Sequence, residues 1–139
     1  MKVLLAVDGS ENALRAAKFV ARLVAGREAR VAVVNVQAPV PYGEVLSRET
    51  RERIEQWKEE RGRLAAADAM ATLGAARISC ELRVVSGDPA PVIAALAREL
   101  GVELIVMGTR GLASVAGLAL GSVTAKVIHL AEVPVSVVK

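Results

Sequence analysis

Aromatic residues are almost missing from this chain of 139 residues: Phe19, Tyr42 and Trp57 are the whole set. A platform for single-stranded nucleic acid needs roughly one ring per stacked base, so three scattered rings exclude it. Cysteine is represented by Cys80 alone, which excludes an internal disulfide and a thiolate metal cluster. Charge of one sign is missing too. The 18 Lys and Arg are offset by 15 Asp and Glu, for a formal net charge of +3. Interleaved in this way they form no basic stripe, and no nucleic-acid partner is expected. No apolar run approaches the roughly 20 residues of a membrane helix, so no membrane partner is expected either. Met1–Asp8 meets an acid after the five apolar residues Val3–Val7, too short a run for a secretion signal. The expected location is the reducing cytoplasm.

What remains is 53% hydrophobic and 24% charged, which excludes a disordered chain. The length fits one domain over residues 1–139. Five short apolar runs alternate with four helical patterns. The runs are Val3–Val7, Val31–Val36, Ile78–Val85, Val102–Met107 and Val133–Val138. Val3–Val7 is continuous and rich in β-branched residues, as a strand buried on both faces should be. Ser10 offers an N-cap to a helix that carries Leu14, Ala17, Ala21 and Val24 and stops at Gly26. A long helix is expected from Ser47 to about Leu73, with Glu49–Arg53 and Glu59–Arg63 as i,i+4 pairs on a solvated face. Asp88 is placed to cap a helix with Pro89 at its first position, ending at Gly101. A last helix runs from Ser122 to about Ala131.

Strands alternating with helices imply an α/β domain, a Rossmann-like open parallel sheet of five strands with helices on both faces. Right-handed crossovers leave few topologies, and the order expected is 3-2-1-4-5. Ligands of such sheets lie beyond the strand carboxyl ends where the order reverses, here between strands one and four. Asp8 ends strand one and Gly108 follows strand four.

Between strand four and the last helix the chain reads Gly108-Thr109-Arg110-Gly111, nine residues, then Gly121-Ser122-Val123-Thr124. Glycines let consecutive N–H groups turn toward an anion, and a helix starting at Ser122 favours a phosphate. Ser122 and Thr124 add hydroxyls. The same glycines could equally be turn residues, and Asp8 a helix-approach residue.

This pattern, G-x-x-G, nine residues, G-S after an apolar strand, resembles the ATP-binding signature of the universal stress protein family. Val7-Asp8-Gly9-Ser10, the Gly87–Pro89 turn and the closing Pro134–Val138 are similar to other stretches of that family, and the likeness covers the whole chain. The resemblance implies an ATP-binding regulatory protein of stress response. Asp8 would lie near ribose and phosphates, with Ala6 and Val7 on the adenine side and Val36 against the base. Met107, Gly108, Gly111, Gly121, Ser122, Val123 and Thr124 would complete the nucleotide contacts. Family members often carry Arg or Lys in the nine-residue insert, but Leu112–Leu120 has none. Arg110, and Lys126 one turn into the helix, are the cations at hand. A divalent ion, Mg²⁺ or Mn²⁺, would then bridge the phosphates, with Asp8 as its nearest protein carboxylate. The missing cations also fit a less charged adenine nucleotide.

Other constellations carry less. No G-x-x-x-x-G-K-[ST] occurs, so the lysine that supports phosphoryl transfer is missing, and no G-x-G-x-x-G follows a strand. His129 falls near the far end of its helix and reads as a surface or packing residue. Cys80 alternates with Ile78 and Leu82 and reads as a small core residue. Strand five, Val133 to Val138, is an apolar edge that invites pairing. The resembled family dimerises there, so a homodimer is expected. Two rival functions stay open, a slow ATPase or nucleotide-dependent enzyme at the same site, and a dimeric scaffold with a vestigial site.

Overall fold

The Val3–Leu5 run fills the middle of a parallel sheet, with a neighbour strand on each side. The computed structural model describes residues 1–111 and 120–139. Its elements are β1 (Lys2–Ala6), α1 (Glu11–Leu23), β2 (Arg30–Gln37), α2 (Arg48–Ala75), β3 (Cys80–Ser86), α3 (Pro89–Leu100), β4 (Leu104–Gly108), α4 (Ser122–Leu130) and β5 (Val135–Val138). A short 3₁₀ turn, Gly43–Val45, lies in the connection before α2. The strand order is β3-β2-β1-β4-β5 and every pairing is parallel, as the alternating pattern predicts. Residues 112–119, which hold all but the last of the nine-residue insert, lie outside the described residues.

Successive residues of each strand enter different cores, because side chains alternate across a sheet. Val3, Leu5, Val31, Val33 and Val106 pack with Ala16, Val20, Ala66 and Leu73 of α1 and α2. Leu4, Ala32, Val34, Ile105 and Met107 pack with Ile93, Leu96, Val102 and Val127 on the α3 and α4 side. Leu4, Leu5 and Ile105 are fully buried, and each such side chain contributes about 1.5–3 kcal/mol.

Three strands begin later than their apolar runs. Ile78 donates its amide to Leu73 O, and Val102 to Ala97 O, so both close the preceding helix instead of opening a ladder. Strand five begins at Val135 and not at Val133. Pro134 has no amide to give, although its carbonyl accepts from Ile105 N at 3.0 Å.

The Ser10 cap of α1 forms as expected, with Ala13 N donating to Ser10 Oγ, and Ser47 caps α2 in the same way, with Thr50 N donating to its Oγ. Asp88 is a correction. It occupies the N-cap position of α3, but its side chain makes no capping hydrogen bond. Pro89 and Pro91 remove the first and third amides of that helix, and a cap side chain bonds the second or third. The charged face of α2 is solvated, with Arg53–Glu49 at 3.1 Å and Arg63–Glu59 at 2.9 Å. No described helix is long and apolar enough to cross a membrane.

Candidate functional site

Beyond its last strand residue, β1 is held at the floor of a crevice by the backbone of Val7. Val7 N donates to Val34 O, and the buried Asn35 gives its side-chain Nδ2 to Val7 O, both at 2.9 Å. Asp8 follows, and Ser10 N donates to its Oδ1 at 2.9 Å. The Ser10 amide thus helps to fix the carboxylate at the mouth of the crevice while Ser10 turns the chain into α1.

The facing wall is the junction of β4 and α4. Gly121 N donates to Thr109 O at 2.7 Å, and the Thr124 hydroxyl donates to Gly108 O at 2.9 Å. Thr109 N donates to Val138 O at 2.8 Å, and Asn12 Nδ2 to Thr109 Oγ1 at 3.3 Å. Both ends of the long connection are therefore clamped to the sheet and to α1. The first intrahelical acceptor of α4 is Gly121 O, which takes Ala125 N at 3.0 Å. As first-turn donors, the amides of Ser122, Val123 and Thr124 have no acceptor within the helix, and the positive end of its dipole lies with them.

The crevice holds a cavity of about 280 Å³. All twelve residues singled out from the sequence line it: Ala6, Val7, Asp8, Val36, Met107, Gly108, Arg110, Gly111, Gly121, Ser122, Val123 and Thr124. The structure adds Ser10, Ala13, Val34, Pro89 and Ile93. Pro89 and Ile93 come from α3, one turn apart, and with Val34, Val36 and Met107 they make an apolar slot beside the polar mouth. Among the described lining residues Arg110 is the one cation and Asp8 the one anion. Flat apolar walls next to convergent amides suit a ligand with a planar apolar part and an anionic end.

Thr124 differs from expectation in one respect. It is 3% exposed and its hydroxyl hydrogen is committed to Gly108 O, so only its amide remains to donate to a ligand. Lys126 and His129 are exposed and neither lines the crevice. Cys80 lies away from it, partly buried against the α1–α2 core, and burial pushes its thiol above the ordinary value. No group of three or more His, Cys, Asp or Glu among the described residues is placed to hold a metal ion.

A roomier groove, about 420 Å³, opens at the opposite end of the sheet beside Lys2, Arg30, Glu81 and Leu100. Its charged side chains are exposed, and no helix start or sheet reversal is aimed into it. The smaller cavity at the switch point has the convergent donors, so volume is the poorer guide here.

The sequence model of the "Universal stress protein family" matches residues 1–139. A Thermus aquaticus protein named "Universal stress protein in QAH/OAS sulfhydrylase 3'region" is 40% identical over 139 residues, covering 99% of this chain and 97% of its own. Among solved structures, a hypothetical protein designated MJ0577 superposes with a TM-score of 0.83 at 28% identity, covering 99% of this chain and 94% of its own. A universal stress protein in complex with cAMP superposes with a TM-score of 0.70 at 27% identity, covering 100% and 96%. With the same strand order and the glycine loop of the sequence in place between β4 and α4, the chain belongs to the universal stress protein family.

Proposed function

We propose that the chain is an adenine-nucleotide-binding regulatory protein of stress response, taking ATP at the crevice between β1 and β4. The observation that carries this reading is the meeting of three features there. An apolar slot, an oriented carboxylate on Asp8 and the amide-bearing start of α4 share one cavity of about 280 Å³. The base would lie against Val36, Val34, Met107 and Ile93, with the backbone of Ala6 and Val7 at its edge. Ribose and phosphates would run past Asp8 and Gly108 toward Gly111, Arg110, Gly121 and the amides of Ser122, Val123 and Thr124. A structural relative in complex with cAMP supports an adenine ligand.

Mg²⁺ or Mn²⁺ would be held chiefly by the phosphates. The described residues offer one nearby carboxylate, Asp8, and no ready-made cage, which fits an ion that arrives with its nucleotide. The ion would neutralise phosphate charge at the mouth.

The functional unit we propose is a cytoplasmic homodimer formed along β5, the outer strand of the sheet. Val137 is 37% exposed there, with Ile128 and Leu130 of α4 also exposed. Val137→Glu should yield a monomer by light scattering where the unaltered chain is a dimer.

Calorimetric titration with ATP and Mg²⁺ tests the central reading, with Gly121→Val as control. A Cβ at Gly121 would already lie 3.4 Å from Arg110 Cα, so the branched side chain crowds the mouth. Binding that Gly121→Val abolishes supports the crevice as the site. Heat from neither protein would leave the glycines as turn residues and favour the dimeric scaffold.

A further inference from the structure

We propose that the outward stripe of α2 is a self-association face, on which the same stripe of a second copy of this chain packs antiparallel. The contact is separate from β5 and from the crevice.

The helix runs for 28 residues, yet its buried residues begin only at Lys58. In the first turns, Arg48–Trp57, no residue is buried and only Ile54 is partly so. Thr50, Ile54, Trp57, Arg61 and Leu64 follow one another at alternating steps of four and three, the spacing of a coiled-coil seam. At 3.6 residues per turn this seam lies about 120° round the helix from the buried stripe. Trp57 is 53% exposed and Leu64 77%, so its large apolar groups face outward. The Arg61 guanidinium lies 4.8 Å from the centre of the Trp57 ring, which holds the indole along the helix.

A seam of this spacing accepts another helix of the same spacing, and the charges select the copy and its direction. In parallel register Arg61 would face Arg61 of the second copy, and Arg53 would lie toward its Lys58. Antiparallel pairing, with Ile54 opposite Trp57 of the second copy, removes both clashes. Arg61 then meets Thr50, Leu64 meets Ser47, and Arg53 lies beside Glu60, each contact occurring twice about a two-fold axis. Glu60 makes no ion pair of its own among the described residues. Arg53 is held only by the exposed Glu49 at 3.1 Å, a pair of small value that can be given up. The seam has far fewer residues than the roughly 20–30 a side of a standard interface, so association is weak and concentration-dependent. Added to pairing along β5, it would make assemblies larger than a dimer.

Trp57 is the only tryptophan of the chain, so its emission reports on this face alone. The test follows sedimentation velocity and tryptophan emission from about 1 to about 500 µM in the Val137→Glu chain, where pairing along β5 is removed. Dimers should form toward the upper end, with emission moving to shorter wavelength as the indole leaves water. Glu60→Arg in the same chain sets arginines against each other and should weaken association at least about fivefold, and adding Arg53→Glu should restore it. Three results would each overturn the inference. One is a chain that stays monomeric, with unshifted emission, at the top of the range. Another is association that leaves the emission unmoved. The third is a Glu60→Arg chain that associates as tightly as its parent, or whose loss Arg53→Glu does not recover.

Discussion

Thr124 donates its hydroxyl hydrogen to the carbonyl oxygen of Gly108 across 2.9 Å, in a setting where the threonine is 3% exposed. This bond ties the last residue of β4 to the first turn of α4 although sixteen positions separate them. It holds together the β4–α4 junction that forms the facing wall of the crevice. Thr124→Val keeps the volume, loses the donor and leaves a buried carbonyl unpaired, which costs about 1–3 kcal/mol. Urea denaturation should show that loss, and nucleotide affinity should fall with it as the α4 amides drift. Thr124→Ser should restore both. A valine variant of unchanged stability would show that water replaces the bond.

Two glycines of the same loop should separate folding from binding. A Cβ at Gly108 would lie 2.8 Å from Asn12 Cβ and 3.0 Å from the Asn12 carbonyl carbon. The backbone of α1 cannot yield cheaply, so Gly108→Ala should cost about 1–3 kcal/mol in stability. A Cβ at Gly111 instead runs into the Oδ2 of Asp8, the end of a side chain that can rotate away. Gly111→Ala should therefore cost less than Gly108→Ala, about 1 kcal/mol for the Asp8 hydrogen bond that it disturbs. Its nucleotide affinity should fall at least about tenfold, because the carboxylate is pushed off its place at the mouth. Equal effects of the two substitutions on stability would contradict this division.

The contrast also shows what could be read from the chain. Asp8, Gly108 and Gly121 are marked by their residue types and by their positions at strand ends and a helix start, which local rules describe. Strand order was legible because right-handed crossovers between alternating elements leave few topologies. Val34, Pro89 and Ile93 needed tertiary placement. Val34 sits two residues before Val36 on the same face of β2, a period-two signal that was present but pointed to core as readily as to site. Pro89 and Ile93 reach the cavity only because α3 crosses beside β2. Asp88 has the right residue type for a cap, yet Pro91 removes one of the two amides it could have met.

Lys58 was the least legible residue. The first half of α2 alternates charges and reads as solvent-facing, yet Lys58 is 5% exposed. The buried stripe of that helix is Lys58, Gly62, Ala66, Ala69 and Leu73, spaced by three or four residues but with a lysine and a glycine in its first half. Gly62 lets α2 approach Val84 of β3 too closely for any Cβ. That close approach covers the lysine stem, while its Nζ reaches Ser86 Oγ at 3.2 Å and Glu55 Oε1 at 3.6 Å. Lys58→Met keeps the stem and discards the charge, and should change stability by no more than about 1 kcal/mol. Lys58→Ala removes three buried methylenes and should cost about 2 kcal/mol. Denaturation of the two variants side by side checks this. A methionine variant as unstable as the alanine one would assign the stabilisation to the ammonium group instead.

Cys80 gives a pH dependence with a definite sign. Its thiol packs against the α1–α2 core, and burial raises its pKa above the unfolded value. Below the unfolded pKa both states hold the proton, and stability does not depend on this group. As pH rises, the unfolded chain loses its thiol proton first, so the folded state binds more protons and stability falls with pH. The fall ends once pH passes the raised folded value. Denaturation under reducing conditions between about pH 8 and 11 should show it as a difference between the unaltered chain and Cys80→Ala, since the lysines and Tyr42 are common to both. The two stability curves should converge as pH rises, from a gap set at neutral pH by the lost side chain. Curves that stay parallel across that range would mean that the thiolate is solvated in the folded protein. Slow alkylation of the folded chain at neutral pH follows from the same burial, because the thiolate is the reactive form.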